Sequence, residues 1–241
     1  MKIYNGEKAI ISLTSWKARI NTVGKTLYSL LKMCPGFHIV LVLSEEEFPK
    51  KEEELPEELM LFVDNDLIEI LWVYKNYKAF KKVLFTMDKY RDVPVISADD
   101  DCIYTCNYAE MLYDAWKNNM DCVITLGNGA NGDRKQKYIP WPTGSKSLYP
   151  PYCFGEYGLK YLKEEIYKYT NDDDTYYAYL LKYFVNKKVI FPFKPSEKNV
   201  YIFHDEIEPM SKNKVNYGIR QAMGILDKVL SPYFIFHNEL S

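Results

Sequence analysis

The stretch Val93-Pro94-Val95-Ile96-Ser97-Ala98-Asp99-Asp100-Asp101 decides the fold class of this chain. A short apolar run of this kind is typical of a buried β-strand, and here it leads directly into three carboxylates. Similar apolar runs occur along the chain, separated by segments with helical spacing, and they cover residues 9–14, 38–43, 67–73 and 122–126. This alternation predicts an α/β fold of one domain, in which helices flank a mainly parallel sheet.

The segments between these strands have the apolar spacing of amphipathic helices. The first begins after Asn21, a residue type that caps helices well, and ends at Pro35-Gly36. Further helices are predicted at 77–90, 108–118, 156–169, 173–186 and 217–230, with one more strand at 189–191. We predict no regular element in 127–152, which is rich in Gly, Asn, Pro and Lys; a loop of that length is usually functional.

Composition and charge exclude several classes of protein. The 241 residues include 31 basic and 33 acidic side chains, whereas a nucleic-acid-binding protein usually has a basic excess. No apolar run reaches the roughly 18–20 residues of a membrane-spanning helix, and the first residues lack the apolar core of a signal peptide. We therefore expect a cytoplasmic protein without nucleic-acid partners. Its five cysteines form no C-x-x-C pair and are expected to be reduced.

The aspartate run lies where open α/β sheets bind ligands, at the carboxyl end of a strand. Asp99 and Asp101 are two positions apart, so on an extended chain their side chains can point the same way. Oxygen ligands of this kind suit Mn²⁺ or Mg²⁺, which is often shared with substrate phosphates. The alternative for three aspartates alone is an Asp-rich turn.

A basic segment just before the run fits an anionic ligand. Residues 75–91 hold six basic residues and one Asp, and Lys75, Lys78, Lys81 and Lys82 can neutralise a diphosphate. The alternative is a solvated helix face, on which Lys78, Lys81 and Lys82 point mostly outward. The stretch 45–58, with eight Glu and two Lys, is expected on the surface instead.

Two other features are candidates for chemistry. Asp172-Asp173-Asp174 precedes a predicted helix, where one or two acidic residues complement the helix dipole. A third is more than capping needs, so one of them is a candidate catalytic carboxylate. His204 is a candidate metal ligand, set against the structural role that a lone His usually has.

Three well-known site motifs are absent from the sequence. Gly24-Lys25-Thr26 resembles the end of a P-loop, but that motif needs Gly where Arg19 stands. No G-x-G-x-x-G follows a predicted strand, and no G-x-S-x-G occurs. The sequence therefore disfavours a P-loop NTPase, a dinucleotide-binding enzyme and an α/β-hydrolase.

Taken in order, these features resemble the nucleotide-sugar glycosyltransferases of the GT-A fold. More closely, the chain resembles the small glycosyltransferases encoded in bacterial capsule and lipopolysaccharide gene clusters, from about residue 8 to about residue 230. Five stretches carry the resemblance: Ile11-Ser12-Leu13-Thr14-Ser15-Trp16-Lys17-Ala18-Arg19-Ile20, Asn76-Tyr77-Lys78-Ala79-Phe80-Lys81-Lys82, Ser97-Ala98-Asp99-Asp100-Asp101, Leu148-Tyr149-Pro150-Pro151 and Asp173-Asp174-Thr175-Tyr176.

The resemblance implies roles for four of these stretches, and it places the fifth, Leu148-Tyr149-Pro150-Pro151, ahead of the acceptor site. The aspartate run is the D-x-D motif, in which Asp99 and Asp101 ligate a divalent metal, with His204 as a further candidate. Asp174 or Asp173 is the general base. The end of the first strand, the lysine helix and the D-x-D motif bind the donor, through Ser12, Thr14, Arg19, Lys78, Lys81, Lys82, Asp99 and Asp100.

The implied reaction transfers a sugar from a nucleotide-diphosphate sugar to a hydroxyl of a glycan or lipid-linked glycan, with UDP as the usual nucleotide. Residues 1–126 then bind the donor and residues 127–241 the acceptor. Peripheral contact with the inner face of the cytoplasmic membrane and formation of a homo-oligomer stay open, and the aromatic tail 231–241 is the candidate for such contacts.

Two other functions stay open at this point. A nucleotidyltransferase that makes nucleotide sugars would share the sheet and the metal, but it should have a Gly-rich loop near the N-terminus, and residues 12–21 contain no Gly. A non-catalytic domain that binds a glycan or a partner would keep the fold without needing both acidic triplets.

Overall fold

Sixteen strands and helices make up the part of the chain that the computed structural model describes, residues 8–129, 139–140, 142–155, 173–181, 185–193 and 201–203. The strands are β1 Ile10–Thr14, β2 His38–Ser44, β3 Glu69–Val73, β4 Val95–Ser97, β5 Cys102–Tyr104, β6 Val123–Thr125, β7 Asn128–Gly129, β8 Ile139–Pro140, β9 Ser147–Tyr149, β10 Val189–Ile190 and β11 Tyr201–Phe203. The helices are α1 Val23–Met33, α2 Glu57–Asp64, α3 Lys81–Lys89, α4 Tyr108–Lys117 and α5 Asp173–Tyr179, with 3₁₀ turns at Lys51–Glu54 and Lys78–Phe80.

The main sheet has seven strands in the order β10-β6-β9-β4-β1-β2-β3. Its pairs are parallel except where β9 lies antiparallel between β4 and β6. The predicted mainly parallel sheet is therefore confirmed. Because β1 to β4 run in the same direction, their carboxyl ends meet along one edge, where the aspartate run begins.

Helices cover both faces of this sheet, as predicted. Alternate residues of β1 point to opposite faces: Ile11 and Leu13 join the core that packs on α1 and α4, whereas the Ser12 hydroxyl bonds to α3. A second core on the α3 side includes Phe80, Tyr149 and Tyr177. Among the described helices, none combines the length and the apolar character that crossing a bilayer would need.

The predicted absence of regular structure in 127–152 is wrong, because this segment supplies a central strand. Residues Ser147–Tyr149 form β9, which is fully buried between β4 and β6. Three residues are too few to show the alternation by which a strand is recognised in a sequence. The short pair β7 and β8 also lies in this segment, and the sequence analysis missed β5 and α2 as well.

The lysine helix begins later than predicted and faces inward. Instead of covering 77–90, α3 starts at Lys81, after a 3₁₀ turn in which Lys78 has a φ of 51°. That left-handed backbone interrupts a helix. Lys81 and Lys82 were expected to point mostly outward, but they are 1% and 3% exposed, because acidic partners surround their amino groups.

Smaller differences concern the ends of elements. Helix α1 is preceded by Thr22 rather than capped by Asn21. The helix predicted at 173–186 is present as α5 and continues as a π-helical turn at 180–181, and residues 182–184 lie outside the described part of the chain. The expected free thiols are found, since all five cysteines are unbridged. The helices predicted at 156–169 and 217–230 and the aromatic tail lie outside the described residues.

Candidate functional site

The aspartate run follows β4 directly, beside the end of β1. The Ala98 N–H donates to the Ser12 carbonyl, which continues the parallel pairing of the two strands up to the first aspartate. The three carboxylates then take different directions, because each is held by different neighbours.

Asp100 points into the protein. Its two carboxylate oxygens accept hydrogen bonds from Ser15 Oγ at 2.6 Å and from Arg19 Nη1 at 2.7 Å. Its carbonyl accepts one from Thr26 Oγ1 at 2.9 Å. Burial raises the pKa of Asp100, although the Arg19 charge opposes that shift. The donor-binding role expected of Asp100 stays a prediction, and its contacts within the chain indicate that it holds the run in place.

Asp99 and Asp101 remain partly exposed, and their carboxylate oxygens lie within 4.8 Å of each other and of Cys102 Sγ. Asp101 also lies 3.0 Å from Arg19 Nη1 and accepts a bond from the Cys102 thiol. Burial raises the pKa of the Cys102 thiol. The carboxylate oxygens of Asp99 and Asp101 are donors of the kind that suits Mn²⁺ or Mg²⁺. His204, the further candidate ligand, lies outside the described residues.

Lys82 joins the aspartate run to the second acidic triplet. Its ammonium nitrogen lies 2.7 Å from Asp99 Oδ1 and 3.4 Å from Asp173 Oδ2. Burial alone would lower the pKa of Lys82, but the charges of Asp173 and Asp99 outweigh it and raise that pKa, so the amino group stays protonated. The structure thus brings together residues that are far apart in the sequence.

Asp173 and Asp174 lie in the first turn of α5. Asp173 is buried, and Asp174 is more accessible. Both contribute to the electrostatic field at Lys82. The two residues expected to include a catalytic base therefore lie on the same side of the sheet as Lys82 and close to Asp99.

The other two lysines that were expected to bind the donor are placed differently. Lys81 Nζ donates to Glu47 Oε2 and to Asn76 Oδ1, both at 3.0 Å. Burial lowers the pKa of Lys81, and the Glu47 charge opposes that shift. Lys78 is exposed on the 3₁₀ turn, with its backbone N–H bonded to Asn76. Of the three lysines, it is Lys82 that the structure places in contact with Asp99.

Ser12 and Thr14 use their hydroxyls within the sheet. Ser12 Oγ donates to the Lys82 carbonyl at 2.6 Å and lies 2.7 Å from Thr86 Oγ1. Thr14 Oγ1 donates to the Val42 carbonyl at 2.6 Å. Their predicted donor contacts stay predictions, and the Ser12 bond anchors the backbone of Lys82.

Sequence reasoning missed a loop that covers the contact between Lys82 and Asp99. A Cβ added to Gly144 would lie 2.4 Å from Lys82 Nζ and 3.0 Å from Asp99 Oδ1. A side chain at this position would therefore have to displace one of the two groups. The one signal in the sequence is the Gly itself, in a segment already expected to be functional.

Comparisons with known proteins bear on the fold. No family model matches the sequence, and no curated protein matches it. Among solved structures, one similar chain is GalNAc-T7, in a crystal structure with UDP, GalNAc and Mn²⁺, at 14% identity and a TM-score of 0.45; the match covers 64% of this chain and 37% of GalNAc-T7.

A second similar structure is a mannosyltransferase from Pyrobaculum calidifontis in complex with GDP-Man and Mn²⁺. The identity is 11% and the TM-score 0.50, and the match covers 77% of this chain and 54% of the mannosyltransferase. The chain thus spans about half the length of that enzyme. At this level of identity the likeness concerns the fold alone, and it agrees with the predicted architecture: the described residues form a single α/β domain of the GT-A type.

Proposed function

We propose that this chain is a metal-dependent glycosyltransferase that moves a sugar from a nucleotide-diphosphate sugar to a hydroxyl of a glycan or lipid-linked glycan. The observation that carries the proposal is the position of Lys82, whose buried ammonium group contacts both Asp99 and Asp173. This contact brings a candidate metal-binding aspartate and a candidate catalytic aspartate to one edge of a GT-A sheet, where α/β proteins bind ligands.

Asp99 and Asp101 would hold the divalent cation. The two partly exposed carboxylates lie close enough to share one ion. When bound, Mn²⁺ or Mg²⁺ would stabilise the negative charge that develops on the leaving nucleoside diphosphate. The presence of Mn²⁺ and GDP-Man in the structurally similar mannosyltransferase supports this assignment.

Arg19 and Lys82 would keep the two ligands in position. Arg19 Nη1 contacts both Asp100 and Asp101, so the inward Asp100 fixes the guanidinium that holds Asp101. Lys82 holds Asp99 in the same way from the other side. Because both cations are buried, their hydrogen bonds are strong and the carboxylates have little freedom to turn away.

Asp174 would accept the proton of the acceptor hydroxyl. Asp173 is engaged by Lys82 and is 6% exposed, whereas Asp174 is more accessible at the same helix terminus. General-base catalysis needs a carboxylate within hydrogen-bond reach of that hydroxyl. We therefore assign the base to Asp174, with Asp173 as the alternative.

The finer features of the proposal come from the resemblance of the sequence motifs. They are a UDP-sugar donor, a hexosyl group as the sugar, donor binding in 1–126 and acceptor binding in 127–241. They also include a role in capsule or lipopolysaccharide synthesis and a cytoplasmic location, whereas peripheral membrane contact and a homo-oligomer stay open.

Calorimetric titration of nucleotides into the purified protein tests the proposal. UDP and GDP are titrated with Mn²⁺, with Mg²⁺ and with EDTA, for the wild type and for Asp101→Asn. Asp114→Asn is the matched control, because it makes the same change at an exposed aspartate on α4. We expect nucleotide binding that needs the metal and that is lost in Asp101→Asn but kept in Asp114→Asn.

Assays with UDP-sugars and GDP-sugars then follow hydrolysis and transfer by the wild type. Binding that persists in EDTA would contradict the metal assignment. Metal-dependent nucleotide binding without hydrolysis or transfer would favour a non-catalytic domain, and formation of a nucleotide sugar from a nucleoside triphosphate and a sugar phosphate would favour a nucleotidyltransferase.

A further inference from the structure

The phenol of Tyr104 connects the aspartate run to the 143–147 loop. Its oxygen accepts a hydrogen bond from the Asp99 backbone N–H at 3.0 Å and donates one to the Ser145 carbonyl at 2.9 Å. A tyrosine hydroxyl has one proton to donate and lone pairs to accept with, so this one group bonds to both segments at once.

Tyr104 is itself held rigidly. Its side chain is 1% exposed, and its ring stacks on Tyr108 with centroids 4.5 Å apart. The Tyr104 backbone N–H donates to Ser29 Oγ of α1 at 3.1 Å. The phenol therefore has a fixed position relative to the sheet, from which it can set the positions of the two groups that it bonds to.

The loop is also tied to β4 from the other side. Ser97 Oγ donates to the Thr143 carbonyl at 2.9 Å, and the Ser147 N–H donates back to Ser97 Oγ at 3.2 Å. Gly144, between these ties, comes so close to Lys82 and Asp99 that a Cβ would collide with the Lys82 amino group. A shift of this loop would therefore move the groups that hold Asp99.

We infer that Tyr104 is a positioning residue of the proposed metal site: through Asp99 N–H and Ser145 O it sets Asp99 and the loop above it in the arrangement that binds the cation. This inference rests on the proposed function. In this role Tyr104 contacts neither substrate nor metal. Replacing it should therefore change the affinity for the metal while leaving every metal ligand in the protein.

The test is the affinity for Mn²⁺, measured from the electron paramagnetic resonance signal of the free ion, with and without UDP or GDP. Tyr104→Phe removes the phenol oxygen and keeps the stacked ring. Tyr90→Phe is the control, because it removes another buried hydroxyl, one that bonds to Glu69 on β3, away from the aspartate run. We expect Tyr104→Phe to weaken Mn²⁺ binding roughly five- to tenfold, and Tyr90→Phe to leave it unchanged at a similar loss of melting temperature.

Each outcome has one meaning. If the wild type binds Mn²⁺ and Tyr104→Phe binds it with the same affinity, the inference is overturned and the proposed function is not. A wild type that binds no Mn²⁺ overturns the proposed metal site, and the inference with it. If Tyr104→Phe does not fold, Gly144→Ala tests the same arrangement from the loop side, because its Cβ would displace Lys82 or Asp99; unchanged Mn²⁺ affinity in that variant overturns the inference.

Discussion

The ammonium nitrogen of Lys82 lies 3.4 Å from Asp173 Oδ2, although one residue is on α3 and the other on α5. The same nitrogen is 2.7 Å from Asp99 Oδ1. One buried charge thus compensates carboxylates from two distant parts of the chain, and it ties α5 to the edge of the sheet where the aspartate run lies.

Replacing Lys82 by Met should strongly destabilise the protein. Met has a similar volume but no charge, so the buried Asp173 and the partly exposed Asp99 would lose their ammonium partner. Breaking a buried ion pair from one side typically costs roughly 3–5 kcal/mol. Urea unfolding should show this loss, and the double variant Lys82→Met, Asp173→Asn should regain part of it. No recovery would mean that Lys82 stabilises the fold by packing and not by its charge.

Changing Asp100 to Asn should mainly lower the stability of the protein, whereas changing Asp101 to Asn should mainly remove metal binding. Asp100→Asn weakens a buried contact with Arg19 and should lower the free energy of unfolding by roughly 3 kcal/mol. Asp101→Asn keeps the pair of Arg19 with Asp100, and it should cost about 1 kcal/mol or less while abolishing Mn²⁺ binding. Unfolding curves and Mn²⁺ titrations of both variants check this. Equal effects on metal binding would contradict the separate roles of the two residues.

The sequence predicts the parts of the site that are local along the chain. A buried strand followed directly by carboxylates is visible without the structure, and so is the strand–helix alternation that places Asp99 at the carboxyl edge of a parallel sheet. The acidic triplet at 172–174 also indicates the Asp173-Asp174 pair, because three carboxylates ahead of an apolar helix are more than capping needs.

The remaining features depend on long-range contacts that periodicity does not encode. A helical pattern places Lys82 on the polar side of α3, and its burial is explained by the carboxylates of Asp99 and the distant Asp173. Asp100 is identical in sequence character to its neighbours, and it is Ser15 and Arg19 that turn it inward. Strand β9 is too short for its pattern to be read, and its central place is set by the pairing partners on both sides.

Tyr149→Phe should leave the stability of the ligand-free protein unchanged or raise it slightly. The Tyr149 ring is fully buried, and its hydroxyl makes no hydrogen bond within the part of the chain that the structure describes. A buried hydroxyl without a partner costs free energy, and removing it is expected to gain up to about 1 kcal/mol. Tyr177→Phe is the comparison, because the Tyr177 hydroxyl donates to the Phe80 carbonyl. A melting temperature that falls as far in Tyr149→Phe as in Tyr177→Phe would mean that Tyr149 has a partner in solution.

Glu69 is the centre of a polar cluster near the start of β2 and β3. Its carboxylate accepts hydrogen bonds from Lys89 Nζ and Tyr90 OH, both at 2.6 Å, and lies 3.1 Å from His38 Nε2. Burial alone would raise the pKa of Glu69, but the hydrogen bonds from these three side chains outweigh it and hold that pKa at about 2.

The stability that Glu69 supplies should therefore depend on pH in the acidic range. A carboxyl group whose pKa is lower in the folded state than in the unfolded one stabilises the fold fully above the unfolded value, about 4.5, and loses this contribution as the pH falls towards 2. A pKa shift of this size corresponds to at most roughly 3 kcal/mol of unfolding free energy.

Urea unfolding of the wild type and of Glu69→Gln between pH 3 and pH 7 measures this contribution, because the Gln variant lacks the titrating group. We expect the difference in unfolding free energy to be largest and constant above about pH 5 and to shrink steadily below it. A difference that stays constant down to pH 3 would mean that the hydrogen bonds of Glu69 do not depend on its charge.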